Sequence, residues 1–440
     1  LLMNKLKRQS VPTVLSSHAY LKKYYGNAII NSNSNSNSHS NRTRYDIFTF
    51  VSLLKACSQK KAIWEGKSLH SQILKLGLLE DHHHPYLAST LISMYAMFDM
   101  LFLAFSVLEN LPFRCTVSWN ALISGYSQQG RFYEALICFD LMQIEGLSPN
   151  VVTFICILKV CGSIGELDKG KEIHDHVFNR GLIDKDVVLG TSLVCMYAKC
   201  GELSRAKEVL EMLPIRDVVA WSALIAGYAQ QGQGQGQEAL SSFEKMKSEG
   251  ISPNEITFLC TLKACASIRD IEKGEDIHFE MVTKGFLEKD IMLGSALVDM
   301  YAKCGAFAKA QQVLEELPVR GVISWCALIS GYAREGDFRQ VHDMFTRMQQ
   351  EGLSPDEVTF LCVLNACNQS GNLEEAQMYY ENMRNRYGIA PNLEHHSCMV
   401  TIFGHSGFFD KALSVIQAMP SSSGSESILW LALLNACRKW

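Results

Sequence analysis

Histidine and cysteine are the residues of this chain that could support metal-dependent chemistry. The chain has 13 histidines and 15 cysteines among its 440 residues. His278-Phe279-Glu280 matches the H-x-E half of a zinc deaminase signature, in which the glutamate transfers protons beside a ligating histidine. The other half of that signature is a C-x-x-C pair, and the sequence contains none. We therefore expect no catalytic residue, no metal site and no cofactor.

Cysteine spacing elsewhere also argues against a metal centre. Four cysteine pairs are five residues apart, a spacing that on a helix turns the two thiols about 140° away from each other. These pairs are Cys156/Cys161, Cys195/Cys200, Cys260/Cys265 and Cys362/Cys367. The histidine run 82–84 could bind a metal, although polar insertions in loops are common. The odd cysteine total indicates free thiols in a reducing compartment.

The same residue types recur at a fixed interval. His70, His174 and His278 are 104 residues apart each time, so His278 belongs to a repeated pattern. Four prolines keep nearly the same interval: Pro112, Pro214, Pro318 and Pro420. Such self-similarity indicates a repeat architecture. With 48% hydrophobic residues and a net charge of −4, the chain is neither disordered nor strongly basic, and no apolar run reaches the length of a membrane span.

The repeating unit of about 102 residues divides into segments of about 35, 36 and 31 residues. We call the 36-residue kind long and the 31-residue kind short. The predicted segments are 47–84 (long), 85–115 (short), 116–150, 151–186 (long), 187–217 (short), 218–254, 255–290 (long), 291–321 (short), 322–356, 357–392 (long), 393–426 (short) and the partial segment 427–440. Segment 218–254 carries a two-residue insert in its Gly/Gln turn.

Each segment has the pattern of two helices. Trp119, Leu122, Ile123 and Tyr126 form one apolar helical face, and a second apolar stripe follows Gly130. No stretch shows the sustained alternation of a strand. One helix pair cannot bury its apolar face alone, whereas stacked pairs can. The sequence therefore predicts an all-α fold, a right-handed superhelical α-solenoid of helix-turn-helix repeats with a concave groove.

Recurring strings give the chain a resemblance to a known family. VSWNALISGY, MYAKCG and VTFLCVLNAC, at residues 117–126, 196–201 and 358–367, are similar to motifs of pentatricopeptide repeats. The alternating lengths resemble the plant-type P-L-S subfamily, and the resemblance covers about residues 47–440. Tetratricopeptide repeats, the neighbouring possibility, keep a constant period of 34 residues.

The resemblance implies that the groove reads single-stranded RNA, one base per repeat. In the family, the fifth residue and the last residue of a repeat select the base. Carried over to this chain, Asn120 with Asn150 favours a pyrimidine. Two further pairs follow from the same pattern: Thr191 with Asp217 favours guanine, and Ser222 with Asn254 favours adenine. Second-place residues are expected to pack against base planes: Val117, Val188, Val219 and Ile323.

Several repeats depart from this pattern. Cys115 follows Ser89, Gly321 follows Ser295, and Cys326 takes the fifth place before Asp356, so these repeats should read weakly or not at all. Ser295 and Asp356 remain candidate base readers. The long repeats have apolar fifth residues that cannot hydrogen-bond a base: Val51, Ile155, Leu259 and Leu361. Any of the polar residues could instead be a helix cap.

The net charge of the repeat region argues against nucleic-acid binding. The first 45 residues contain seven of the 41 basic residues and no acid, so the rest of the chain is net acidic. Binders of nucleic acid usually have a basic footprint. A solenoid can separate a basic groove from an acidic back, and Lys199 and Lys303 could contact phosphate or be solvated.

The two ends complete the interpretation. Residues 1–46 are basic and serine-rich, as in a disordered transit segment for the mitochondrion or, alternatively, the chloroplast. Residues 430–437 resemble the start of a C-terminal extension motif that is cut off here. The resemblance implies an RNA-binding specificity factor for C-to-U editing, with editing-complex proteins or a deaminase acting in trans and no membrane. The alternatives are an RNA processing or stability factor and a protein-binding scaffold.

Overall fold

The computed structural model describes residues 47–79, 85–232, 234–288, 290–417 and 425–437. The transit-like segment 1–46 and the histidine run 82–84 lie outside these residues. Every regular element in the described ranges is an α-helix, and none of these helices is long and apolar enough to cross a membrane. The predicted all-α stack of helix pairs is confirmed.

The helices alternate between the first and the second member of each pair. They are α1 Ile47–Lys60, α2 Ile63–Lys75, α3 Pro85–Met97, α4 Leu101–Glu109, α5 Thr116–Gln128, α6 Phe132–Ile144, α7 Val151–Ile164, α8 Leu167–Asn179, α9 Val187–Lys199, α10 Leu203–Met212, α11 Val218–Gln230, α12 Gly236–Ser248, α13 Glu255–Ile268, α14 Ile271–Thr283, α15 Ile291–Lys303, α16 Phe307–Glu316, α17 Val322–Arg334, α18 Phe338–Gln350, α19 Glu357–Ser370, α20 Leu373–Asn385, α21 Leu393–His405, α22 Phe409–Gln417 and α23 Ser425–Cys437.

Local signals set where these helices start and stop. Before α7, the Oδ1 atom of Asn150 accepts the backbone N–H of Thr153 at 3.1 Å, which satisfies one of the free donors at the helix start. The same helix ends at Gly165, whose φ of 75° is left-handed and suits glycine. Turn residues therefore confine each helix to about two and a half to four turns.

Two compact units divide the chain, one up to Leu224 and one from Ile225 onward. In the first unit, α1, α3, α5, α7 and α9 pack side by side, and each second helix packs against the first helix of its own pair. In the second unit, α13, α15, α17, α19, α21 and α23 pack in the same way. We refer to these as the first-helix layer of each unit.

The periodic histidines join neighbouring repeats. His70 Nδ1 lies 2.8 Å from the Tyr95 hydroxyl, between the second helix of a long repeat and the first helix of the next repeat. His174 and Tyr197 make the same contact at 2.8 Å. Within the second unit, His278 and Tyr301 do so at 2.9 Å. The histidine of the H-x-E string is therefore part of the packing between repeats.

Candidate functional site

Exposed apolar side chains recur near the start of the first helices in each unit, and we call them the apolar row. The predicted base-packing residues Val117, Val188, Val219 and Ile323 are between 37% and 58% exposed. Each lies at the second position of its first helix, beside the start of that helix. Large aliphatic residues arranged in this way on a surface indicate a binding face.

Sequence reasoning missed several members of this row. The long repeats have exposed apolar residues at the same second position, namely Val152, Ile256 and Val358, and the short repeat 291–321 has Met292. The signal was available, because each of these residues is the second one of a predicted segment. The apolar row is therefore not limited to the repeats with a polar fifth residue.

Asn120 and Asn150 lie together where two repeats meet. The Nδ2 group of Asn120 donates to the Oδ1 atom of Asn150 at 3.0 Å. The Thr153 hydroxyl donates to the Oδ1 atom of Asn120 at 2.7 Å. The Oδ1 atom of Asn150 also caps α7, so it already accepts from two N–H groups. No described residue accepts from the Nδ2 group of Asn150. The exposed end of the pair is a hydrogen-bond donor.

Thr191 and Asp217 form the equivalent pair in the short repeat 187–217. The Thr191 hydroxyl donates to the Oδ1 atom of Asp217 at 3.2 Å. That same oxygen accepts the backbone N–H of Ala220 at 2.8 Å and so caps α11. Among the described residues, none donates to the second oxygen of Asp217. This pair therefore presents an acceptor where the Asn120–Asn150 pair presents a donor.

Ser222 and Asn254 belong to different units. Ser222 is buried in the first unit, with 4% of its surface exposed. Asn254 caps α13 in the second unit, since its Oδ1 atom accepts the N–H of Thr257 at 2.9 Å. Capping and base reading are therefore not exclusive alternatives for these last residues, because a cap uses only one of the two polar atoms of an Asn or Asp side chain.

The departing repeats have different local geometry. Cys326 Sγ lies 2.8 Å from the Thr359 hydroxyl and 3.7 Å from the Oδ1 atom of Asp356, which caps α19. Burial raises the pKa of Cys326 to about 12, so the thiol is neutral. Ser295 contacts the Ile291 carbonyl at 3.0 Å in its own helix and the Ser324 hydroxyl of α17 at 3.4 Å.

At the repeat ends that lack an Asn or Asp, the serine three residues later bonds to the backbone of the last residue. Gly321 donates its N–H to the Ser324 hydroxyl at 3.2 Å. The backbone N–H of Cys115 donates to the Ser118 hydroxyl at 3.1 Å. Ser89 is the fifth residue of the repeat that ends at Cys115, and it donates to the Tyr86 carbonyl at 3.0 Å. Neither of these two repeat ends offers the polar side-chain atom that the Asn150 and Asp217 ends present.

The two predicted phosphate lysines differ in their surroundings. Lys303 Nζ lies 2.6 Å from the Oδ2 atom of Asp299, one turn earlier on the same helix. Lys199 is exposed at the end of α9 and has no ion-pair partner among the described residues. Only Lys199 therefore presents an uncompensated charge.

Charge separates between the two helix layers of the first unit. The charged residues of α1, α3, α5, α7 and α9 are Lys55, Lys60, Lys159 and Lys199, with no acid. Acids concentrate on the second helices, where Lys169 of α8 pairs with Glu172 at 2.9 Å and with Asp140 at 3.6 Å. The net negative charge of the chain therefore does not extend to the first helices that carry the apolar row.

No group of three or more potential ligands is arranged to hold a metal ion within the described ranges. The cysteines there are free thiols. Burial raises the pKa values of Cys161 and Cys265 to about 12, so both stay protonated at neutral pH.

Comparison with known proteins identifies relatives along most of the chain. The model of the PPR repeat family matches residues 114–163, 216–267 and 320–369. The PPR repeat model matches residues 191–218, 256–286, 295–322, 358–387 and 394–423. A mitochondrial pentatricopeptide repeat-containing protein of Arabidopsis thaliana is 33% identical over 435 residues, which cover 99% of this chain and 76% of that protein.

Other relatives extend further beyond the aligned part. A second Arabidopsis thaliana protein, a putative mitochondrial pentatricopeptide repeat-containing protein, is 37% identical over 88% of this chain and 61% of its own length. Across the relatives, the chain spans from about half to about three quarters of their length. The crystal structure of the pentatricopeptide repeat protein PPR10 with an 18-nt psaJ RNA element covers 97% of this chain and 69% of its own, at 17% identity and a TM-score of 0.54, a likeness of fold.

Proposed function

Since the chain belongs to the pentatricopeptide repeat family, we propose that it binds single-stranded RNA along its first-helix layers and selects bases at repeat junctions. The observation that carries this proposal is the Asn120–Asn150 pair, with Thr191–Asp217 as its counterpart. In each pair, the Oδ1 atom of the last residue accepts from a backbone N–H at the helix start and from the fifth residue. The other polar atom of the last residue then faces outward as a donor or an acceptor. Such fixed polar atoms can discriminate between base edges.

The exposed apolar row supplies the second element of this function. Val117 lies three residues before Asn120, and Val188 lies three residues before Thr191, so each apolar residue is one helical turn from a polar pair. Stacking and apolar contact with base faces tolerate any base, whereas the polar pair gives the choice. The solved PPR10 structure contains RNA, and its fold supports this assignment.

The finer proposal is that the protein is a specificity factor for C-to-U editing in an organelle, with a deaminase supplied in trans. It is supported by the alternating 35-, 36- and 31-residue segments, which resemble the P-L-S subfamily, and by the extension-like residues 430–437. The alternatives are an RNA processing or stability factor, which would use the same interface, and a scaffold for proteins.

We propose the mitochondrion as the location, with the chloroplast as the alternative. The basic and acid-free composition of residues 1–45 supports an organelle. Two relatives whose names place them in the mitochondrion, at 33% and 37% identity, support the choice between the two organelles.

Selection from a random single-stranded RNA library with the full chain tests RNA binding. In the family orientation, with the amino-terminal repeats toward the 5′ side, we expect enrichment of pyrimidine, any base, guanine and adenine in that order. Double-stranded RNA of the enriched sequence is the control, and it should bind weakly because its base edges are paired. Retention of no RNA sequence, together with capture of a defined protein, would favour the scaffold.

A further inference from the structure

A cavity of about 390 Å³ lies in the second unit, between the long repeat 357–392 and the short repeat 393–426. Its walls come from the second helices α20 and α22, from the turn before α21 and from the first turn of α21. None of the residues that line it belongs to the apolar row. A cavity of this volume is in the range of small-molecule sites.

Arg384 of α20 gives the cavity a positive charge without a counter-ion. It lines the cavity and takes part in no ion pair among the described residues. No acidic side chain of the described ranges lines the cavity, and Glu381, three residues before Arg384, lies outside its walls. The guanidinium group is a planar fork of N–H donors that matches the two oxygens of an anion. The cavity therefore has the electrostatic character of an anion site.

His396 and Tyr380 form a bonded pair on another wall. The Nδ1 atom of His396 lies 2.8 Å from the Tyr380 hydroxyl. Burial lowers the pKa of His396, and the charges of His395 and Arg384 add to this effect. The imidazole is therefore neutral at neutral pH. Among the described residues that line the cavity, the positive charge is that of Arg384 alone.

The remaining walls are apolar or have no donor to offer. Ala390, Pro391 and Val415 contribute aliphatic surface. The Ser414 hydroxyl donates to the Asp410 carbonyl at 2.8 Å, so its proton is already engaged. An anionic group therefore finds its donors at Arg384, and the rest of a bound molecule meets aliphatic surface.

The preceding long and short repeats have a different chemistry at the equivalent place. A cavity of about 310 Å³ lies there between α14 and α16, and its cation Lys309 is paired with Glu275. With the offset of 102 residues between the two repeat pairs, Arg384 takes the place of Val282 and Gln377 takes the place of Glu275. A cation has replaced an apolar residue, and a neutral amide has replaced an acid. The unpaired charge is therefore specific to the later cavity and does not follow from the packing of repeats.

We propose that this cavity binds a small organic acid, with its carboxylate on Arg384 and its apolar body against Pro391 and Val415. A single guanidinium matches the one negative charge of a carboxylate better than the charge of about −1.5 to −2 on a phosphate monoester. Two parallel N–H bonds from the guanidinium to the carboxylate would also fix the orientation of the acid. The site is separate from the proposed RNA interface, because the apolar row lies at the starts of the first helices.

Calorimetric titration of the full chain with benzoate and with 3-methylbutanoate tests the site. We expect at least one of these acids to bind, with one molecule per chain. The neutral analogue benzamide and inorganic phosphate are the comparison ligands. Benzamide should bind about tenfold more weakly or less, because a hydrogen bond to a charged group is the stronger kind. Phosphate should also bind more weakly, because it offers no apolar body to the aliphatic walls.

Arg384→Gln should weaken binding of the acid by about tenfold or more. Arg386→Gln is the matched control, since Arg386 is an exposed arginine two residues away that does not line the cavity, and it should leave the affinity unchanged. Ala390→Glu is a second variant. Glu288 stands at the equivalent position of the preceding long repeat, so this turn accepts a glutamate, and its carboxylate should pair with Arg384 and exclude the acid.

Binding of neither acid would overturn the site, and so would equal losses in Arg384→Gln and Arg386→Gln. Tighter binding of phosphate than of both acids would overturn the proposed class of ligand. The RNA selected by the wild type should bind Arg384→Gln with unchanged affinity. A loss of RNA affinity in this variant would place Arg384 on the RNA path and overturn a separate acid site. The titration with acids uses no RNA, so its result does not depend on the proposed RNA binding.

Discussion

At the scale of single residues, one side-chain oxygen does two tasks at the repeat junctions. In Asn150 and Asp217 it caps the next helix and also accepts from the fifth residue of the repeat. The fold therefore fixes the orientation of the remaining polar atom. Asn and Asp are almost equally good caps, so exchanging them changes the outward chemistry without loosening the helix start.

Asn254→Asp should move the preference of repeat 218–254 from adenine toward guanine. An amide donates and accepts, whereas a carboxylate only accepts, and a good base contact is worth about 1–3 kcal/mol, or about tenfold or more in relative affinity. The fold should tolerate the change, because Asp356 already caps α19 through the Thr359 N–H at 2.8 Å. Binding to four RNAs that differ only at this base is the measurement. Equal affinity for all four, in wild type and variant, would mean that Ser222 and Asn254 are purely structural.

Single buried histidines make the stack sensitive to pH. Burial lowers the pKa of His70 from 6.5 to about 4, so the folded protein holds it neutral against Tyr95. The unfolded chain takes up the proton first as pH falls below 6.5, so the free energy of unfolding should decrease between pH 6.5 and 4. His70→Gln, which cannot titrate, should show a smaller decrease when urea unfolding is followed at pH 7.5 and pH 5. Parallel pH dependence in both proteins would contradict this account.

At the scale of helices, close contacts between first helices depend on glycine. A Cβ atom at Gly125 of α5 would lie 2.4 Å from the Ala96 Cβ of α3. Within the second unit, Gly331 meets Ala302 at 2.8 Å and Gly404 meets Ala436 at 2.7 Å in the same way. An alanine side chain has no rotamer by which it could move aside, so only the helices themselves could separate.

Gly125→Ala should therefore destabilise the first unit despite the better helix propensity of alanine. Overpacking of this kind typically costs about 1–3 kcal/mol, which exceeds the gain of about 1 kcal/mol in propensity. The midpoint of urea unfolding should fall. Ser124→Ala is the adjacent control and should have little effect, since Ser124 is only half-buried and its hydroxyl accepts one long contact from Gln128 at 3.3 Å. A variant with unchanged or higher stability would show that the helices adjust without cost.

At the scale of the whole chain, repetition replaces a single core, and the one string that resembles half of a catalytic signature belongs to the packing between repeats. The sequence has no C-x-x-C pair to complete the H-x-E string, and His278 is engaged with Tyr301. Incubation of the full chain with zinc and its selected RNA should therefore yield no conversion of cytidine to uridine when the RNA is sequenced. An authentic zinc deaminase serves as the positive control. Zinc-dependent uridine formation by this chain would contradict the expectation that it has no catalytic residue.

The sequence by itself determined the helix pairs, since helical periodicity, glycine stops and Asn or Asp caps are local signals that recur in most segments. It also placed Asn120 with Asn150 and Thr191 with Asp217 through the resemblance to a family. The sequence predicted the apolar row only in part. The prediction followed the repeats with a polar fifth residue, so it left out the long repeats and with them Val152.

Only the tertiary structure decided what neighbouring repeats do to one another. The stem of Lys199 lies against Gly162, although 37 residues separate them in the sequence, so neither string alone could place Lys199 beside α7. The separation of lysines from acids also required knowing which helices share a layer. Electrostatic surroundings depend on distances through space, and stacking sets those distances between residues that are remote along the chain.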